Sequence, residues 1–194
     1  MTRIEIKERA KQQLEKNIFS NKWLMAVLFL VIISVVSSIA GSVIPALGAI
    51  LVTGPMSYAA AFIFLKRARD NENMNFKDLF RGFTDCFSES FLIGLMTAIF
   101  TALWSLLFVI PGIIKGFSYS MAYYVKCDHP EYNWRQCIKE SMRIMNGHKM
   151  ELFILNLSFI GWIIVGALVL GIGTLWVAPY ITAATTHFYL SIKE

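Results

Sequence analysis

Three long stretches with almost no charge constrain this chain more than any other feature. Trp23 to Leu65 runs 43 residues without Asp, Glu, Lys or Arg, Leu152 to Ile192 contains none either, and Phe91 to Val125 contains only Lys115. A helix needs about 20 apolar residues to cross a hydrocarbon layer ~30 Å thick. Each block therefore holds two crossings at most, joined by a turn. A soluble helical bundle would need a charged face on every helix, and these stretches offer none. Only 16% of the 194 residues are charged, against about 25% in a soluble domain. The expectation is an all-α, polytopic membrane protein with six short transmembrane helices arranged as three hairpins.

The placement of the charges sets the orientation. The net charge is +5, and 17 of the 18 basic residues fall in the N-terminal segment, in the two polar segments between blocks, or in the tail. With an even number of crossings these segments share one side of the membrane. Basic residues collect in cytoplasmic loops, so both termini are expected in the cytoplasm. The same distribution argues against nucleic acid as a partner. Twenty-two largely polar residues precede the first apolar block, too many for the leading region of a signal peptide. Cys86, Cys127 and Cys137 lie in or beside the basic segments, where free thiols are expected.

The chain divides as 1–22, 23–65, 66–90, 91–125, 126–150 and 151–194, with polar segments leading into hairpins. Tyr58, Tyr119 and Tyr180 are spaced by 61 and 61 residues, as are Ala61, Ala122 and Ala183. Each tyrosine follows a breaker, in Gly54-Pro55, Gly116 and Pro179, which predicts the start of the second helix of each hairpin. The second hairpin is expected to turn at Pro111-Gly112. Two leading segments carry helical stripes: Phe76, Leu79, Phe80, Phe83 and Phe87, then Trp134, Cys137, Ile138, Met142 and Met145. A weaker stripe is Ile6, Ala10, Leu14 and Ile18. Such amphipathic helices either lie in the membrane interface or cover the inner ends of the spanning helices.

Catalytic constellations are missing from the pattern. No acidic residue interrupts an apolar block, so the intramembrane charge typical of ion-coupled pathways reduces to Lys115. That lysine is expected to snorkel to the outer interface. Cys127, His129 and Cys137 match no zinc spacing, and no cofactor or metal is expected. His148, after Asn146-Gly147, reads as a cap at the entry to the fifth span. Thr97, Thr101 and Ser105 share one helix face, and such hydroxyls commonly join helices in membranes. The functional alternative is a polar groove for a lipid headgroup or small solute. Its candidate residues are Lys115, Ser118, Tyr119, Tyr123, Asn156, Tyr180 and His187.

From Phe76 to Tyr189 the chain resembles the bacterial "domain of unknown function 975" family. The residues that carry the resemblance are Ile110-Pro-Gly-Ile-Ile-Lys115, Ser118-Tyr119-Ser120-Met121, Gly147-His148-Lys149, Leu157-Ser-Phe-Ile-Gly-Trp162, Gly171-Ile-Gly173, Leu175-Trp176 and Pro179-Tyr180. The resemblance implies a multi-pass protein, typical of Gram-positive bacteria, with no assigned activity. The expected role is a non-enzymatic module that organises membrane lipids or a partner membrane protein, with a second copy of itself as one such partner. The rival readings are a solute-binding transport component served by a partner ATPase, and an immunity protein against antimicrobial peptides.

Overall fold

The computed structural model describes residues 2–14, 20–43, 47–70, 74–168 and 172–193, with side chains omitted for 40–43, 47–50, 168 and 172. The stripe residue Ile18 and the hairpin connections at 44–46 and Gly171 lie outside the described residues. Among those described, every regular element is a helix. They are α1 (Arg3–Gln13), α2 (Asn21–Val43), α3 (Leu47–Asp70), a 3-10 turn η1 (Phe76–Phe80), α4 (Arg81–Thr84), α5 (Phe87–Leu107) and α6 (Val109–Tyr119). There follow α7 (Ala122–Asp128), α8 (Trp134–Ile144), α9 (Lys149–Leu157), α10 (Ile160–Leu168) and α11 (Ile172–Ile192). Three helical stretches are long and apolar enough to cross a membrane: Asn21–Ile39, Phe87–Leu107 and Lys149–Ala167.

Residues on the 61-residue register are alike in being buried. Tyr58, Tyr119 and Tyr180 are all buried, and so are Ala61, Ala122 and Ala183. All but Tyr58 belong to the main hydrophobic core, to which α3 contributes Phe64, α7 Val125, and α11 Phe188 and Tyr189. Helix α3 is central and packs against α2, α4, α5, α7 and α11. Its approach to α4 and α5 is close enough to require glycine: a Cβ on Gly82 would fall 2.1 Å from the Pro55 carbonyl oxygen, and one on Gly54 would fall 2.6 Å from that of Ser90.

The apolar stripes of α1 and α8 cover the core. Ile6, Ala10 and Leu14 are buried, as are Cys137, Ile138 and Met145. Arg135, Gln136, Lys139 and Arg143 are left on the outer face of α8. Both helices start on capping boxes, Thr2 with Glu5 and Asn133 with Gln136, in which side chains satisfy the free amide groups of the first turn. The 76–87 stripe behaves differently. It breaks into η1 and α4, buries Leu79, and leaves Phe76 and Phe80 exposed, with Phe76 stacked on Phe29 at 5.0 Å.

The breakers lie inside helices rather than at their starts. Pro55 and Pro179 lie inside α3 and α11, and the second hairpin reverses at Phe108, three residues before Pro111. Phe108 is extended (φ −156°, ψ 137°), and Pro111 then occupies the first turn of α6. Proline is tolerated there because the first amides of a helix have no internal partner. One turn ahead of Pro179 the Trp23 indole donates to the Trp176 carbonyl at 3.0 Å, pinning α2 to α11.

The break between α6 and α7 is bridged from α8. Ser141 Oγ donates to the Ser118 carbonyl (2.8 Å) and accepts from the Met121 amide (3.2 Å), all buried. Ser141→Ala removes both bonds and is expected to destabilise the protein by about 1–3 kcal/mol, read as a lowered Tm in detergent. An unchanged Tm would mean that α8 does not hold the break.

Candidate functional site

The seven candidate residues do not form one site. Four belong to the α5–α6 hairpin and its continuation, and two of these, Tyr119 and Tyr123, line the same groove. The groove is a cavity of ≈330 Å³ on the seam between α5 and α6, walled by Thr97, Ala98, Thr101, Gly116, Tyr119, Ser120 and Tyr123.

Its geometry follows from helix spacing and one small residue. Thr97 and Thr101, four apart, project from the same face of α5. Opposite them Gly116 leaves room, since a Cβ there would stand 3.7 Å from the Thr101 methyl group. Several hydroxyls are anchored on their own helices: Thr97 Oγ1 donates to the Ile93 carbonyl at 2.7 Å, and Ser120 Oγ to that of Phe117 at 2.8 Å. Anchored this way, each oxygen keeps lone pairs to accept a bond. The Tyr123 hydroxyl passes so close to Gly94 of α5 that a Cβ there would lie 2.7 Å away. Tyr119 tilts against Phe100 at 6.2 Å.

The other candidates have separate surroundings. Lys115 places its ammonium 5.0 Å from the centre of the Trp104 ring. Ser118 is buried and donates to the Ile114 carbonyl at 2.9 Å. Asn156 is half-buried near the end of α9. Tyr180 is buried between Phe159 (edge-on, 5.1 Å) and Trp23 (6.2 Å), with the Lys11 ammonium 6.0 Å from its ring. His187 is buried, and its Nε2 has no hydrogen-bond partner among the described residues. His148 occupies the N-cap position of α9 and contacts Glu151 rather than the backbone. Among the described residues no group of three His, Cys, Asp or Glu side chains could hold a metal ion.

Sequence reasoning missed the main polar junction. Asp128, at the end of α7, has a side chain only 7% exposed, with Arg69 Nη2 at 2.7 Å from Oδ1. The Tyr189 hydroxyl and the Lys193 ammonium both donate to Oδ2 at 2.8 Å. Burial pushes the carboxyl towards its neutral form, but the donors from Lys193, Tyr189 and Arg69 outweigh it and hold the group below the ordinary aspartate value. The register gave one hint, since Arg67, Asp128 and Tyr189 are again 61 apart. Arg67 itself turns to α1, donating to the Gln13 carbonyl at 3.2 Å.

The comparisons with known proteins agree with the motifs around the groove. A family model described as "Protein of unknown function (DUF975)" matches residues 1–115 and 106–194. No characterised protein and no solved structure matches the chain. The two matched stretches together cover every residue, including the N-terminal third that the motifs left open: the chain belongs to the DUF975 family.

Proposed function

We propose that this protein is a non-enzymatic lipid-binding module of the bacterial cytoplasmic membrane. Its six apolar segments enter the membrane as three hairpins from the basic side, where both termini lie. The observation that carries this reading is the hydroxyl-lined groove between α5 and α6. Its neighbours on the same helices, Ile99, Leu103 and Ile113, are exposed large apolar residues, the surface expected where a helix pair faces acyl chains. At ≈330 Å³ the groove is at the small end of ligand pockets, about 300–1,000 Å³. That suits one segment of a lipid, its ester or hydroxyl oxygens meeting Thr97, Thr101 and Ser120 and its chain lying on Tyr119.

Native mass spectrometry of gently extracted protein tests this. Co-purified lipid is expected, and Thr97→Val with Thr101→Val should reduce its retention about fivefold or more, the loss of one or two hydrogen bonds at about 0.5–1.5 kcal/mol each. Equal retention by the double variant would remove the groove from the account. A retained water-soluble solute in place of lipid would favour a transport component.

A further inference from the structure

We infer that the α5–α6 hairpin is re-entrant: it enters from the basic side and its tip stops among acyl chains near the middle of the bilayer. This rests on the membrane reading above and concerns how deep one hairpin goes. Three independent features of the hairpin lead there.

The first is the chemistry of the tip. Leu106, Leu107, Phe108, Val109 and Ile110 are between 65% and 86% exposed, and none has a polar side chain. A turn that emerges into water or headgroups is normally marked by polar residues or an aromatic–basic girdle. Below the tip come Ser105, which lies against Gly112, and then Trp104 and Lys115, which face each other.

The second is the backbone. Lipid tolerates a turn only if its amide groups are satisfied internally. Phe108 is the single residue between the two helices, and both its groups are paired, so the reversal adds no open backbone group to those every helix end carries. Its N–H donates to the Trp104 carbonyl at 3.0 Å, and its carbonyl accepts from the Gly112 amide at 3.2 Å. Pro111 in the first turn of α6 removes one further donor.

The third is depth. Helix α8 begins against the base of α5, where the Glu89 carboxylate accepts from the Trp134 amide. It then climbs to Ser118, which it holds through Ser141. Its outer face carries Arg135, Lys139 and Arg143, all exposed, so water reaches the level of Ser118. From Ser118 to Phe108 the hairpin has ten residues of helix left, about 15 Å at 1.5 Å per residue. The hydrocarbon layer is ~30 Å thick. The hairpin therefore runs out at half depth.

Accessibility of a single introduced thiol tests the inference on the full chain. Phe108→Cys, with Val109→Cys as a second tip position and Lys139→Cys as the α8 reference, would be treated with a membrane-impermeant maleimide. The wild type, with its three partly or fully buried cysteines, gives the blank. Intact cells, inside-out vesicles and detergent-solubilised protein would be compared. The tip positions are expected to react at least tenfold faster in detergent than from either side of the sealed membrane, while Lys139→Cys reacts in inside-out vesicles and in detergent but not in intact cells. Labelling of Phe108→Cys and Val109→Cys in intact cells would overturn the inference and make the hairpin a full crossing, with the membrane reading intact. Recovery of the protein in the soluble fraction, with the tip labelled without detergent, would instead overturn the membrane reading itself.

Discussion

Alanine at Gly82 is expected to destabilise the fold by about 3 kcal/mol or more, at or beyond the upper end of ordinary overpacking. The added Cβ would sit 2.1 Å from the Pro55 carbonyl oxygen and 2.7 Å from that residue's carbonyl carbon and Cα. All three are backbone atoms of a helix, so no side chain can rotate to relieve the clash, and α4 must move off α3. Because α3 packs against most of the other long helices, the displacement is shared by the core. Gly54 and Gly94 report on the neighbouring crossing. A Cβ on Gly54 meets Phe91 Cα at 3.0 Å, and one on Gly94 meets Gly54 Cα at 3.2 Å, so larger residues there should push α3 and α5 apart. Gly161 is the control. A Cβ there meets nothing within 4 Å, and alanine should be neutral or stabilise the helix by up to about 1 kcal/mol. Thermal unfolding in one detergent, with the monodisperse fraction, separates the cases; equal Tm values for the Gly82 and Gly161 variants would mean that α3 and α4 do not touch as described.

The second large effect is expected at Asp128. Asp128→Asn keeps the shape of the side chain and removes the charge that Arg69 and Lys193 share. Breaking a buried ion pair by neutralising one member costs about 3–5 kcal/mol. Here both cations are about a third exposed (36% each), so water compensates in part, and about 2–3 kcal/mol is the expected loss. The pH dependence has a definite sign. The folded-state carboxyl titrates below its ordinary value, so its contribution is complete above the unfolded value of about pH 4. It is lost as pH falls through the lower folded value. The wild type should therefore lose stability on acidification below about pH 4 more steeply than Asp128→Asn, and parallel pH profiles would exclude a special role for this carboxylate.

What could be read in the sequence was what local pattern determines. Charge-free length gave the apolar helices, and the 61-residue spacing picked out three tyrosines that are all buried. The faces of α1 and α8 were legible too, but not what covers them. Periodicity identifies an apolar stripe and cannot say whether lipid or protein lies against it. The turn at Phe108 was hidden because Pro111 is as compatible with the first turn of a helix as with the loop before it. The groove was half visible: Thr97 and Thr101 declared a common face, while the space opposite them depends on Gly116, whose role appears only once the hairpin closes. Asp128 was invisible as a junction because its partners lie 59, 61 and 65 residues away, and no local rule connects such positions.

Those separations also order events during synthesis. Arg69 is already made when Asp128 leaves the ribosome, so one donor is present from the start. Tyr189 and Lys193 follow 61 and 65 residues later, an interval of about 3–13 s at ~5–20 residues per second. Through that interval the carboxylate has one of its three partners. The junction therefore closes only when the last helix has been delivered and docked, so the arrival of the final segment locks together parts of the chain laid down seconds before it.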